Sequence, residues 1–397
     1  MLLWRYRAFY GSCLAAFTGG HLLNYAVIQY AQEVIGSDWL AGLGFGLCFG
    51  PPLLLGWYAG VLCDRLAPGR LIHGAQALFA LAALALWAAH AGIGEPGDRV
   101  PWLLAAAALA GVGWSAVAPA RMAALAQVVS AQELKPASVA FNLFVMLGFG
   151  LGPLALALAR AWGGWDAAFA AAVLLFALAS AWLLAVPTRA SGRAHAPLRK
   201  EIGEALATVK ARPLLRQLLV AAMTGYLAMG PMTVLLPRLA AGPLALGELQ
   251  RGLFLGSLAL SLIVGGVLAM ALAPRVHHGR AVLGLTTAAG LALAALGGAR
   301  DVQPALALLA VVGACGGMAL SLIVAGVQAE APPAQRGRIV SLYTIISQVV
   351  PAAAGVAAGA MAQAWGAGMA LHLCGAALAL AMLAHIGWMR ALRSHAG

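Results

Sequence analysis

Apolar residues in this chain run in long blocks, separated by short breaks of charge, proline and glycine. Twelve blocks lie near residues 8–31, 39–62, 71–93, 101–127, 137–159, 166–187, 213–236, 250–272, 281–299, 303–328, 339–363 and 368–389. Each is close to the ~20 apolar residues that an α-helix needs to cross a bilayer. The pattern predicts an all-α integral membrane protein with twelve transmembrane helices, numbered below as spans 1 to 12. Arg5 and Arg7 precede span 1 as in a signal peptide. The apolar run is too long for a cleaved segment, and more spans follow, so it is a signal anchor at most.

Composition agrees. Of 397 residues, 63% are hydrophobic and 9% charged, with a mean hydropathy of +0.91. A soluble domain carries about 25% charged residues, so this chain lacks the polar surface to face water. The net charge of +12 could suggest nucleic acid. The positions of the charges say otherwise. With both termini cytoplasmic, 19 of the 24 Lys and Arg residues fall on the cytoplasmic side; only Arg99, Arg160, Arg238, Arg251 and Arg300 fall on the other. That asymmetry predicts an inner (plasma) membrane protein with both termini inside. It assigns the basic balance to topology and anionic lipid, with no nucleic-acid partner.

The chain divides near its middle. Residues 1–187 hold six spans, residues 213–397 hold six more, and 188–212 form a polar cytoplasmic linker. Within the linker Leu198, Ile202, Ala205 and Val209 share one helical face, the pattern of an interfacial amphipathic helix. A solvated linker is the plain alternative. The halves echo each other: "DRLAPGR" (64–70) follows span 2, and "PRVHHGR" (274–280) follows span 8. Arg65 and Arg70 match Arg275 and Arg280, while Pro274 stands in place of Asp64. Two six-helix pseudo-repeats of this kind place a solute path between the halves.

Three motifs carry a family resemblance. Gly60, Asp64, Arg65 and Arg70 between spans 2 and 3 resemble the G-x3-D-R signature loop of the major facilitator superfamily. Gly148, Gly152 and Pro153 in span 5 resemble the Gly-x3-Gly-Pro core of its antiporter motif, although Leu156 and Ala157 stand where drug antiporters usually have a glycine pair. The stretches 119–142 and 336–366 are similar to its drug-and-siderophore exporter branch, which includes the enterobactin exporter. The resemblance implies the major facilitator fold and transport by alternating access. It implies that Asp64 and Arg65 meet the start of span 11, after Arg336 and Arg338, to hold the cytoplasmic side shut. An exposed ion pair contributing about 0–1 kcal/mol is the plain alternative. The residues themselves suggest a related use. Gly148 and Gly152 allow close helix approach, and Pro153 removes a backbone donor and permits a kink.

Span 1 is unusually polar. His21, Asn24, Tyr25, Ile28 and Gln32 share one face, with Gln29 at its edge. Polar groups at mid-membrane depth face a bundle interior or a wet cavity. The resemblance implies that spans 1, 4, 7 and 10 line the cavity. It adds Trp114, Met223, Tyr226 and Met229 as candidates, with Asn142, Tyr343 and Gln348 from spans 5 and 11. Core packing is the plain alternative for any single Met or Tyr. Aromatics, Met and amides suit a large amphipathic or aromatic small-molecule substrate.

Lys135, Lys200 and Lys210 lack a Gly-rich phosphate loop, which argues against direct ATP use. Proton antiport is what the resemblance implies, and it normally needs an ionisable group in the membrane. All twelve acids lie in loops or at span ends. Glu33, at the far end of span 1, and His21, whose imidazole can titrate near neutral pH, are the candidates. Uniport remains an alternative. No His-rich or C-x-x-C pattern predicts a metal or a cofactor, and Cys13, Cys48, Cys63, Cys315 and Cys374 read as small membrane residues. An integral-membrane enzyme would need a nucleophile, metal cluster or acid pair that the sequence does not offer. The expected function is proton-coupled export of a siderophore or similar metabolite by a monomer. Broad drug efflux and import of a small solute or metallophore are the alternatives.

Overall fold

The computed structural model describes residues 6–92, 99–190, 198–272, 275–333 and 335–395. Within them, the side chains of Trp57, Gly60, Val61 and Asp64 and of residues 198–201 lie outside the description. Among the described residues every regular element is helical. Ten helices among the described residues are long and apolar enough to cross a membrane. One of these, α6 (Leu134–Leu183), runs for 50 residues and is broken by non-helical backbone at Gly163 and Gly164, so it supplies both span 5 and span 6. Gly164 has φ +65°, a left-handed backbone that glycine adopts without steric cost. The helix α1 (Arg7–Tyr30) is 24 residues long; it is span 1 and stands outside those ten. Its His21, Asn24, Tyr25 and Gln29 make it less apolar than the others.

The remaining elements follow from local signals. Span 1 passes from α1 directly into a π-helical turn, Ala31–Ile35, which stops at Gly36 with φ +80°. Ser37 then caps α2 (Asp38–Phe49), its hydroxyl accepting a hydrogen bond from the Leu40 amide at 3.2 Å. Span 2 continues after a bend as α3 (Pro52–Arg65), and span 3 is α4 (Pro68–His90). Both start on proline, whose missing N–H costs nothing in the first helical turn. Span 4 is α5 (Arg99–Val128). The polar segment carries α7 (Leu198–Ala211). Span 7 is split between α8 (Pro213–Tyr226) and α9 (Met229–Ala241). Spans 8 to 12 are α10 (Glu248–Leu272), α11 (His278–Leu296), α12 (Val302–Glu330), α13 (Arg336–Trp365) and α14 (Ala367–Trp388).

The chain forms two compact units. The first comprises residues 1–195 and 246–256, the second residues 196–245 and 257–397. In the first, α1 runs along α6 and is buried over most of its length. Phe79 stacks on Phe176 at 5.1 Å and meets Trp114 edge-on at 5.3 Å. Aromatic pairs of this kind add about 0.5–1.5 kcal/mol beyond the area they bury. In the second unit a core of Leu215, Leu218, Val282, Leu322, Ile323, Met382 and Leu392 is buried. There α11 approaches α14 closely: a Cβ on Gly290 would come within 2.8 Å of the Ala379 amide nitrogen. Small residues substitute for hydrophobic burial as the means of helix association in lipid.

Candidate functional site

The polar face of α1 lies inside the first unit. Asn24, Tyr25, Gln29 and Gln32 are buried, and His21 is half-buried. The Trp114 indole N–H, from α5, donates to Asn24 Oδ1 at 3.2 Å. The His21 ring lies 5.1 Å from the rings of both Trp114 and Phe149. Among the described residues, Thr18 Oγ1, Asn24 Nδ2 and the Tyr25 and Tyr30 hydroxyls are buried with no hydrogen-bond partner. An unpaired buried polar group costs about 1–3 kcal/mol, so four on one helix mark a surface suited to a polar solute or to water.

The span 5 glycines bear directly on this face. A Cβ on Gly148 would lie 2.8 Å from the Phe17 carbonyl carbon and 3.0 Å from the Thr18 nitrogen. One on Gly152 would lie 2.6 Å from His21 Cβ and 2.9 Å from the Leu22 nitrogen. Only glycine permits this approach, so backbone presses on backbone beside His21. On another face of α6, Gly252 of α10 packs within 3.1 Å of the Pro153 carbonyl, and Gly256 within 2.8 Å of the Gly150 carbonyl, measured from the same hypothetical Cβ. The Gly-x3-Gly-Pro segment thus contacts α1 and the first turns of α10 together.

The other candidate residues fall into separate groups. Gln29 and Glu33 lie towards the far end of span 1. Arg160 of α6 donates to Gln29 Oε1 at 3.0 Å and pairs with Glu33 at 2.7 Å and Glu248 at 3.0 Å. Arg251 pairs with Glu33 at 3.2 Å and Glu248 at 3.6 Å. In the second unit the Tyr226 and Tyr343 hydroxyls are 2.8 Å apart. Met229 borders a small apolar cleft with Gly225, Ala228, Met232 and Thr286. Gln348 Oε1 has no hydrogen-bond partner among the described residues, Asn142 is exposed on α6 and Met223 is exposed on α8. Of the signature-loop residues, Arg65 and Arg70 are exposed, while the side chains of Gly60 and Asp64 lie outside those described. Arg336 is exposed, and Arg338 pairs with Glu204 of α7.

The sequence reading missed one residue altogether. Arg121, counted above among the cytoplasmic arginines, is fully buried within α5. Its guanidinium donates to Ser12 Oγ and to the Ser12 carbonyl at 3.2 Å, and to Cys13 Sγ at 3.2 Å. Phe17 lies 5.7 Å from its charged carbon. Among the described residues it has no carboxylate partner. The signal was available, since Arg121 falls inside the apolar run 101–127.

A family model described as the Major Facilitator Superfamily matches residues 8–348. Among curated proteins, none matches the chain by sequence. The fold is similar to that of a POT family transporter in complex with 5-aminolevulinic acid, at 13% identity and a TM-score of 0.75, covering 98% of this chain and 96% of that one. A bacterial homolog of the human lysosomal transporter Spinster, in an inward-facing and unoccupied conformation, gives 16% identity, a TM-score of 0.72 and coverage of 98% and 97%. A point mutant of the nucleoside transporter NupG gives 12% identity, a TM-score of 0.73 and coverage of 96% and 99%. At such identities the likeness is one of fold.

Proposed function

Because the chain belongs to the Major Facilitator Superfamily, and is therefore a multi-pass membrane transporter, we propose that it exports a siderophore or similar amphipathic metabolite in exchange for protons by alternating access. The observation that carries the reading is the contact of Gly148 and Gly152 with the α1 face that holds His21, Asn24 and Tyr25. A helix pressed this closely on the polar face cannot move without changing it. That links the antiporter-like motif to the groups that would meet the cargo. Asn24 Nδ2 and the Tyr25 hydroxyl offer hydrogen bonds, and Trp114, Phe149 and His21 offer ring faces, which suits an amphipathic solute with aromatic or amide groups. Tyr226, Met229, Tyr343 and Gln348 would serve the same cargo from the second half.

In this reading the transporter lies in a bacterial-type inner membrane with both termini cytoplasmic, supported by the distribution of 19 against 5 basic residues. It works as a monomer, and coupling is assigned to His21 and Glu33. Asp64, with Arg65, Arg336 and Arg338, closes the cytoplasmic side. Uptake of a small polar solute is the second reading, supported by the similar fold of a transporter that binds 5-aminolevulinic acid.

Efflux from cells separates the two. Cells lacking their own siderophore exporter are loaded with a labelled catecholate siderophore. Expression of this chain is expected to speed release of the label. Release at the vector rate, together with faster uptake of 5-aminolevulinic acid, would reverse the assigned direction.

A further inference from the structure

After span 12 the chain turns at Met389 into the short helix α15 (Arg390–Arg393) and folds back on the second unit. Met389 and Leu392 are fully buried in the core of that unit. A helix leaves its first N–H groups and last C=O groups without intrahelical partners, and three such ends complete one another here. The Gly279 amide, in the first turn of α11, donates to the His395 carbonyl at 3.1 Å. The Leu392 amide, in the first turn of α15, donates to Gln217 Oε1 of α8 at 2.8 Å. Gln217 Nε2 donates in turn to the carbonyl of Trp388, the last residue of α14, at 3.3 Å. A Cβ on Gly279 would lie 1.5 Å from the Leu392 carbonyl oxygen, so only glycine admits the segment.

Imidazoles gather at the same corner. The His395 ring lies edge-on to His278, with centroids 6.0 Å apart. His277 occupies the N-cap position of α11, and its Nδ1 is buried with no partner among the described residues. Burial lowers the His395 imidazole below its ordinary value, and His278 and His277 add to the shift, while Glu330 at the end of α12 acts the other way. Arg390 and Arg393 of the segment itself are exposed, where salt and water screen them. A histidine whose pKa is lowered on docking favours the docked segment at neutral pH. That contribution falls away as pH drops below about 6.5, because the undocked imidazole then takes a proton that the docked one refuses.

We propose that residues 389–395 are a proton-operated strap: docked, they tie together the ends of spans 7, 9 and 12, and protonation at the His277, His278 and His395 corner releases them. Release takes the partners from Gly279, Gln217 and Trp388 together and withdraws Leu392 from the core. The ends of three spans then loosen within the second unit. Acidity on that face thereby sets the stiffness of one half of the transporter. Neither the cargo, the direction of transport nor the coupling ion enters the proposal.

Amide hydrogen exchange on the whole chain in lipid nanodiscs tests it, with rates corrected for the intrinsic pH dependence of exchange. The Gly279 and Leu392 amides should exchange about threefold or more faster near pH 5.5 than near pH 7.5; one imidazole alone can supply up to about tenfold. The double variant His278→Gln with His395→Gln should keep the parent's neutral-pH protection at both values. Gly279→Ala, which evicts the strap sterically, should speed exchange at Leu392 at both. The amide of Leu293, a fully buried residue of α11, detects general loosening. Equal protection of the parent at the two pH values overturns the switch, as does an equal rise at Leu293. So does a double variant that keeps the parent's pH dependence. A double variant that exchanges fast near pH 7.5 also overturns it, since the imidazoles would then hold the strap without sensing protons. Unaltered protection of Leu392 in Gly279→Ala removes the strap itself.

Discussion

Arg121 grips α1 at Ser12 and Cys13, and Arg160 grips the same span at Gln29 and Glu33. The first guanidinium is fully buried among a hydroxyl, a thiol, a carbonyl and a phenyl ring. The second is partly exposed and shared between two carboxylates. Among the described residues the acceptors of Arg121 are all neutral, so releasing it from them would strand a charge in a low-dielectric interior. A partly exposed cation in a neutral network can trade its carboxylates for water. The contrast predicts that the contacts at the Glu33 end of span 1 part at lower cost than those at the Ser12 end of α1. Between them, Gly148 and Gly152 hold the middle of α1 at backbone distance.

That comparison can be broken at several points. Arg121→Ala should have the largest effect on folding: it removes charge-assisted hydrogen bonds and leaves a cavity, a loss of about 3 kcal/mol or more. Thermal unfolding in detergent measures it, and Arg121→Lys should rescue little, because one ammonium cannot serve Ser12 and Cys13 as a fork does. Gly152→Ala should cost about 1–3 kcal/mol by overpacking against His21, with transport falling further than stability. Ser12→Ala removes the hydroxyl that accepts from Arg121 and donates to the Ala179 carbonyl at 2.7 Å, and should cost about 1 kcal/mol. Arg251→Gln should change stability by less than about 1 kcal/mol. If Arg251→Gln proved as destabilising as Arg121→Ala, the two ends of α1 would be alike and the contrast would fall.

The sequence made parts of this legible and hid others for physical reasons. The twelve spans were visible because the bilayer sets a helix length that apolar runs must meet. The gap between the runs ending at 159 and starting at 166 contains Gly163 and Gly164, where α6 breaks. The α1 face was readable because helical periodicity is local. The partners of Glu33 were not, since Arg251 lies 218 residues away and no local spacing brings them together. Arg121 was counted only for the side of the membrane it falls on, because the sign of a residue says nothing of the direction it faces; the contact of α5 with Ser12 is what turns it inward.

Transport in proteoliposomes bears most directly on the account. Purified protein is reconstituted, a labelled catecholate siderophore is added outside, and the lumen is made acid relative to the bath. Proton-coupled exchange predicts accumulation of label above the level without a gradient, and its collapse on adding an uncoupler. Equal movement of label with and without the gradient would contradict it.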